Sequence, residues 1–190
     1  NYRKEIHIIA KIVDQLLDQY PDMKYVVCGR DKLILYENKY IFVSELFKLH
    51  VTKNIDRFVF MGEISERSRM FSIIQNARFC ILPTRVDNLP NTCLEAMALG
   101  KMVVSCTSDQ GTSVEQLIID GYNGLLSTID DAESLYRKII YAMQISEADR
   151  ELIQNRAKER VKELTPEKTY IEMMNIYKET IEQFKHIHSK

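Results

Sequence analysis

Helix-period and strand-like segments alternate along this chain, and that alternation constrains its fold more than any single residue does. Ile6, Ile9, Val13, Leu16 and Leu17 recur at three- and four-residue spacing, which predicts an amphipathic helix that stops before Pro21. Tyr25, Val26, Val27, Cys28 and Gly29 then form a short continuous apolar run, the pattern of a strand buried on both faces. Val43, Leu46, Phe47 and His50 predict a second helix, while residues 31–40 carry no clear period. Strand-like runs recur at residues 57–62, 79–83, 102–106 and 125–127. Between them, Ser65 is placed to cap a helix over residues 66–77, and Gly100 to stop one over residues 91–99. Thr112, Ser113, Val114 and Glu115 spell a capping box. Asp130 with Glu133, Ser146 with Asp149, and Thr165 followed by Pro166 mark three more helix starts.

Strands alternating with helices at this spacing build βαβ units. The expected fold class is therefore α/β, a doubly wound parallel sheet with extra C-terminal helices. No linker, repeat or charge block divides the chain. One domain is expected over residues 1–190, with an αβ core over residues 1–127 and helices over residues 128–190. A chain of 190 residues can bury a full core, and 45% hydrophobic with 28% charged residues excludes disordered and low-complexity classes. A net charge of −1 argues against a general nucleic-acid binder, which must neutralise many phosphates. No apolar stretch reaches the roughly 18 residues needed to cross a bilayer. The first residue is Asn, so a piece of a longer protein is expected. Cys28, Cys80, Cys93 and Cys106 lack metal-ligand spacing and are expected as reduced core residues of a cytoplasmic protein.

In doubly wound sheets, ligands sit at the carboxyl ends of the strands, which directs the search to the residues just after Gly29, Gly62, Pro83 and Cys106. The informative stretch reads Asp87-Asn88-Leu89-Pro90-Asn91-Thr92-Cys93-Leu94-Glu95 and continues to Gly100. It sets one acid in the loop after a strand and a second acid eight residues later, inside the following helix. The free N–H groups of that helix's first turn favour an anion. A carboxylate one turn further in can accept from both hydroxyls of a ribose diol. Phosphate at the helix start and ribose on the carboxylate together describe a nucleotide site.

This stretch resembles the Glu-x7-Glu region of retaining family-4 (group 1) glycosyltransferases with the GT-B fold, in the subgroup that reads Asp-Asn-Leu-Pro-Asn-Thr before the second acid. The resemblance implies the C-terminal, donor-binding domain of such an enzyme. It also implies a Rossmann-like half of the GT-B fold, with its first strand and the Arg behind it falling upstream of Asn1. Glu95 matches the acid that binds the donor ribose. Asp87 takes the place of the acid beside the donor sugar, with a side chain one methylene shorter than the family's Glu. Lys4 falls where the family has a Lys facing the donor diphosphate, so Lys4 and Asp87 are the expected catalytic residues. Asn88-Leu89-Pro90 stands where many relatives have Gly-Phe-Gly. Pro90 offers no N–H, so donor contacts there fall to Asn88, Leu89, Asn91 and Thr92. Gly29 and Gly62 resemble the ends of the family's second and third strands. Glu63 and Ile64 lie where its main chain meets the base, and all four are further expected donor-binding residues.

The resemblance implies a nucleotide-sugar partner and transfer of a sugar, of hexosyltransferase type, to a glycan or lipid-linked acceptor in bacterial polysaccharide synthesis. No metal or other cofactor is expected. The acceptor site would lie on an N-terminal domain that this piece lacks, so the piece alone should be inactive. Localisation is expected to be cytoplasmic, with peripheral contact of the full-length enzyme at the inner membrane face. Two alternatives stay open: half of a nonhydrolysing nucleotide-sugar epimerase, and a non-catalytic nucleotide-binding domain. Tyr170, Met173, Met174, Ile176, Tyr177, Ile181 and Phe184 form a broad apolar stripe after Pro166. That stripe is expected either to stay exposed or to be buried by self-association.

Overall fold

The structure, a computed structural model, describes residues 5–85, 90–108 and 113–188. The spacing of the first apolar residues produces helix α1 (Ile6–Gln19), which buries Ile9, Val13, Leu16 and Leu17. After Pro21 the chain enters strand β1 (Tyr25–Cys28). Residues 31–40, without a readable period, hold most of an antiparallel hairpin of β2 (Leu33–Tyr36) and β3 (Lys39–Phe42). Its turn residues, Glu37 and Asn38, both have positive φ, at 47° and 63°. Such a turn is usually announced by Asn-Gly or Asp-Gly, and Glu-Asn hides it.

Helix α2 (Val43–His50) starts where the Glu45 carboxylate accepts from the Phe42 N–H at 2.7 Å and Asp31 accepts from the Ser44 N–H at 2.9 Å. Strand β4 (Phe58–Gly62), helix α3 (Arg67–Asn76), the short strand β5 (Cys80–Ile81) and helix α4 (Asn91–Ala98) follow. Then come β6 (Val103–Cys106), α5 (Ser113–Leu117), β7 (Leu125–Ser127), α6 (Ala132–Gln144), α7 (Glu147–Lys162) and α8 (Pro166–His188).

β1 pairs in parallel with β4, and β5, β6 and β7 form a second parallel sheet in that order. Alternate residues of β6 face opposite sides. Val104 packs into a core with α1, α2 and α6, whereas Val103 packs into one with α4, α5 and α7. Two cores on two faces make the chain doubly wound, as strand–helix alternation requires.

Several local expectations shift. The strand expected over residues 79–83 contracts to Cys80–Ile81. Ser65 does not cap α3: Glu66 occupies that position, its carboxylate bonded to the Ser68 hydroxyl. Asp131, not Asp130, caps α6, accepting from the Ser134 N–H at 2.9 Å. The caps of the last two helices fall as expected. Ser146 accepts from the Asp149 N–H at 3.1 Å, and Thr165 from the Lys168 N–H at 3.3 Å. The start of the capping box at Thr112 lies outside the described residues.

Helix α6 lies against α1, β6 and β7, and α7 lies against α4, so both complete the αβ core. The α8 stripe is different, since Tyr170, Ile176, Tyr177, Ile181 and Phe184 are all more than half exposed. Among the described residues, no helix is long and apolar enough to cross a membrane.

Candidate functional site

The carboxyl ends of β1 and β4 are locked side by side, the Gly29 N–H donating to the Gly62 carbonyl at 2.8 Å. Gly62 turns the chain with φ +69°, which a side chain would resist. Arg30 and Glu63, which follow Gly29 and Gly62, form a two-bond fork: Nε to Oε2 at 2.9 Å and Nη2 to Oε1 at 2.8 Å. The fork raises the Arg30 guanidinium pKa and lowers that of the Glu63 carboxyl, each through the hydrogen bonds between them. Both side chains are more than half exposed. Ile64 beside them is half-buried.

Helix α4 opens after the buried Pro90, whose carbonyl accepts from the Cys93 N–H at 2.8 Å. Asn91 and Thr92 are exposed in its first turn, where N–H groups precede the intrahelical ladder. Glu95, one turn in, has a side chain only 26% exposed, and Arg67 at the start of α3 reaches its Oε1 at 3.3 Å. Glu95 can therefore offer a fixed carboxylate beside a helix N-terminus, with a guanidinium as neighbour.

A second cluster lies at the carboxyl edge of β5, β6 and β7. Glu5 is 1% exposed; its N–H donates to the Pro83 carbonyl at 3.0 Å and its Oε1 accepts from the Asp130 N–H at 3.0 Å. Burial holds the Glu5 carboxyl above its ordinary value, against the pull of that N–H. Burial also pushes the neighbouring Cys106 thiol up to about 12, with the Glu5 charge adding to the effect. Asp130 in turn holds Arg85 at 2.9 Å.

Of the residues expected from the sequence, Gly29, Gly62, Glu63, Ile64, Asn91, Thr92 and Glu95 are all described. Gly29, Gly62, Glu63 and Ile64 cluster where β1 and β4 end, and Asn91, Thr92 and Glu95 share α4, tied toward α3 through Arg67. Lys4, Asp87, Asn88 and Leu89 lie outside the described residues. Arg30 and Arg67 carry no local signal of their own in the sequence, although both lie shortly after the strand ends at Gly29 and Gly62. Glu5, Arg85 and Asp130 meet only through tertiary contacts.

Residues 1–144 match the family described as Glycosyl transferases group 1. The chain belongs to the group 1 glycosyltransferases. An uncharacterised glycosyltransferase of Methanocaldococcus jannaschii is 27% identical over 171 residues, covering 89% of this chain and 45% of that protein. This group 1 glycosyltransferase chain thus spans less than half the length of that relative. Its fold is also that of solved glycosyltransferase domains. Sucrose-phosphate synthase from Thermosynechococcus elongatus superposes with a TM-score of 0.69 at 19% identity, over 96% of this chain and 44% of that one. The C-terminal domain of LpcC, a group 1 glycosyl transferase of Francisella tularensis, gives 0.68 at 19% identity, over 85% of this chain and 80% of that domain. Anabaena HepE, solved in complex with UDP and glucose, gives 0.65 at 19% identity, over 85% of this chain and 40% of HepE.

Proposed function

We propose that this chain is the nucleotide-sugar donor-binding domain of a retaining glycosyltransferase. The observation that carries the reading is Glu95, a half-buried carboxylate one turn into α4, next to an exposed helix N-terminus at the carboxyl edge of a doubly wound sheet. Glu95 accepts from the ribose diol, and the first-turn N–H groups at Asn91 and Thr92 face the diphosphate. The base lies along Gly62, Glu63 and Ile64 beside Gly29, with Asn88 and Leu89 adding donor contacts. Lys4 supplies positive charge to the diphosphate as it departs, and Asp87 lies beside the sugar. Charge stabilisation by cations and helix N-termini needs no metal, and none is assigned. HepE, which shares the fold, was solved with UDP and with UDP-glucose, which supports a nucleotide sugar as the ligand class here.

A hexosyl donor, a glycan or lipid-linked acceptor, an N-terminal acceptor domain and a role in bacterial polysaccharide synthesis at the cytoplasmic membrane face belong to the same proposal. On this reading the isolated chain binds donor and transfers nothing. Calorimetry of the chain with UDP, GDP and ADP and their hexose conjugates tests the core of it. Saturable binding of at least one nucleotide supports the reading, and no binding by any of them overturns it.

A further inference from the structure

Helix α3 opens against a local rule. Two of its first three residues, Arg67 and Arg69, are cations at the end where the helix dipole favours anions, and the first turn holds no acid. Glu66, just before them, turns its carboxylate to the Ser68 hydroxyl. Helix stability therefore gives no reason for a guanidinium at Arg67. Packing does not require one either, since α3 and α4 already share a core of Ile74, Cys93, Ala96 and Met97. The Arg67 side chain is 81% exposed, yet it is held from two sides. Its guanidinium carbon lies 5.9 Å from the centre of the Phe71 ring, one turn along α3, within the range of a cation–π contact. Its Nη2 donates to Glu95 Oε1 at 3.3 Å. Among the described residues, no other side chain bonds the Glu95 carboxylate.

A glutamate carboxylate swings readily about its last torsion, which is broad and two-fold. A donor on Oε1 sets the plane of the group. Two neighbouring hydroxyls that donate to one carboxylate need that plane to face them. We propose that Arg67 is a positioning residue, orienting the Glu95 carboxylate toward a ribose diol so that the pair selects ribonucleotides over 2′-deoxyribonucleotides. The proposal rests on the donor-binding reading above. Without the 2′-hydroxyl, one of the two bonds to Glu95 is lost, and the orientation of the carboxylate matters less.

The test uses the full-length protein, whichever of UDP, GDP and ADP the wild type binds tightest, and the 2′-deoxy form of that nucleotide. Kd is measured by calorimetry, with Tm recorded beside it. The wild type should prefer the ribonucleotide by about tenfold. Arg67→Ala should weaken the ribonucleotide by about three- to fivefold, the scale of one exposed ion pair, and the deoxynucleotide by less than about twofold. Tm should stay within about 3 °C of wild type, because Arg67 lies largely in solvent. The ratio of the two Kd values does not depend on any fraction unfolded, so it remains readable where Tm falls. In a Glu95→Ala background, Arg67→Ala should leave that ratio unchanged, since the group it orients is gone. Equal losses for both nucleotides, unchanged affinity for both, or a narrowing that persists in the Glu95→Ala background overturns the positioning role alone. A wild type that binds both nucleotides equally removes the diol from Glu95, and this proposal with it. A wild type with no affinity for any of the three nucleotides overturns the donor-binding reading as well.

Discussion

At the scale of single residues, two carboxylates show how partners decide what an acid does. Glu95 meets one exposed guanidinium at 3.3 Å, a contact of a kind worth about 0–1 kcal/mol, so it remains available to a ligand. Glu95→Ala should leave the fold intact and weaken nucleotide binding by up to about a hundredfold, since an unpaired ribose diol costs about 1–3 kcal/mol. Calorimetry on the variant checks this, and unchanged affinity removes Glu95 from the site. Asp14, on α1, accepts N–H groups from Thr52, Lys53 and Asn54, each at 3.1 Å, and the Asn54 side chain at 2.9 Å. Burial works to raise its pKa, but these bonds together outweigh it and bring the value down to about 2. Because the folded value lies below the unfolded one, the stabilisation is complete above about pH 4 and fades as pH falls towards 2. Allowing for solvent screening, about 1–2 kcal/mol is at stake. Urea titrations should therefore show Asp14→Asn less stable at pH 7, with the gap narrowing between pH 4 and 2; a constant gap would refute the link.

At the scale of elements, α4 is the piece on which the site depends, and its end is set by one residue. Gly100 takes φ +71° just past the helix, and a Cβ there would stand 2.2 Å from Lys158 Cε on α7. The lysine tip can swing away, so the backbone cost dominates, at about 1–2 kcal/mol. Gly100→Ala should lower Tm by about 2–8 °C, and an unchanged Tm would show that the turn tolerates a side chain. This stop signal was legible in the sequence because helix termination is local chemistry. The β2–β3 hairpin was not, since Glu37 and Asn38 adopt a turn their neighbours impose. The cap of α6 moved from Asp130 to Asp131 for a similar reason. Both acids suit the position locally, and Asp130 is drawn away by Glu5 and Arg85.

At the scale of the whole molecule, α8 differs from the helices that pack on the core. Helices α1, α4, α6 and α7 each bury a face on the core, while Tyr177 and Ile181 of α8 remain 54% and 53% exposed. An apolar stripe along a 23-residue helix is the kind of surface that a partner covers. Tyr177→Lys combined with Ile181→Lys should leave Tm unchanged, because no packing on the αβ core is lost. The double variant should also abolish any concentration-dependent association of the chain, read by sedimentation. A drop in Tm of more than about 3 °C would show instead that the stripe packs on its own domain.

The alternation of helices and strands outside the β2–β3 hairpin, the doubly wound class, the stop at Gly100 and the pattern around Glu95 follow from the sequence by itself, because each depends on periodicity or on neighbours within a few residues. The sequence also placed the search at the strand ends, where topology gathers loops whatever their composition. Only the tertiary structure brought Arg67 to Glu95 across 28 positions, Arg30 to Glu63 across 33, and Glu5 to Asp130 across 125. No local rule spans such distances. Arg30 and Glu63 meet because the parallel strands β1 and β4 bring their carboxyl ends, and the residues that follow them, to one edge of their sheet.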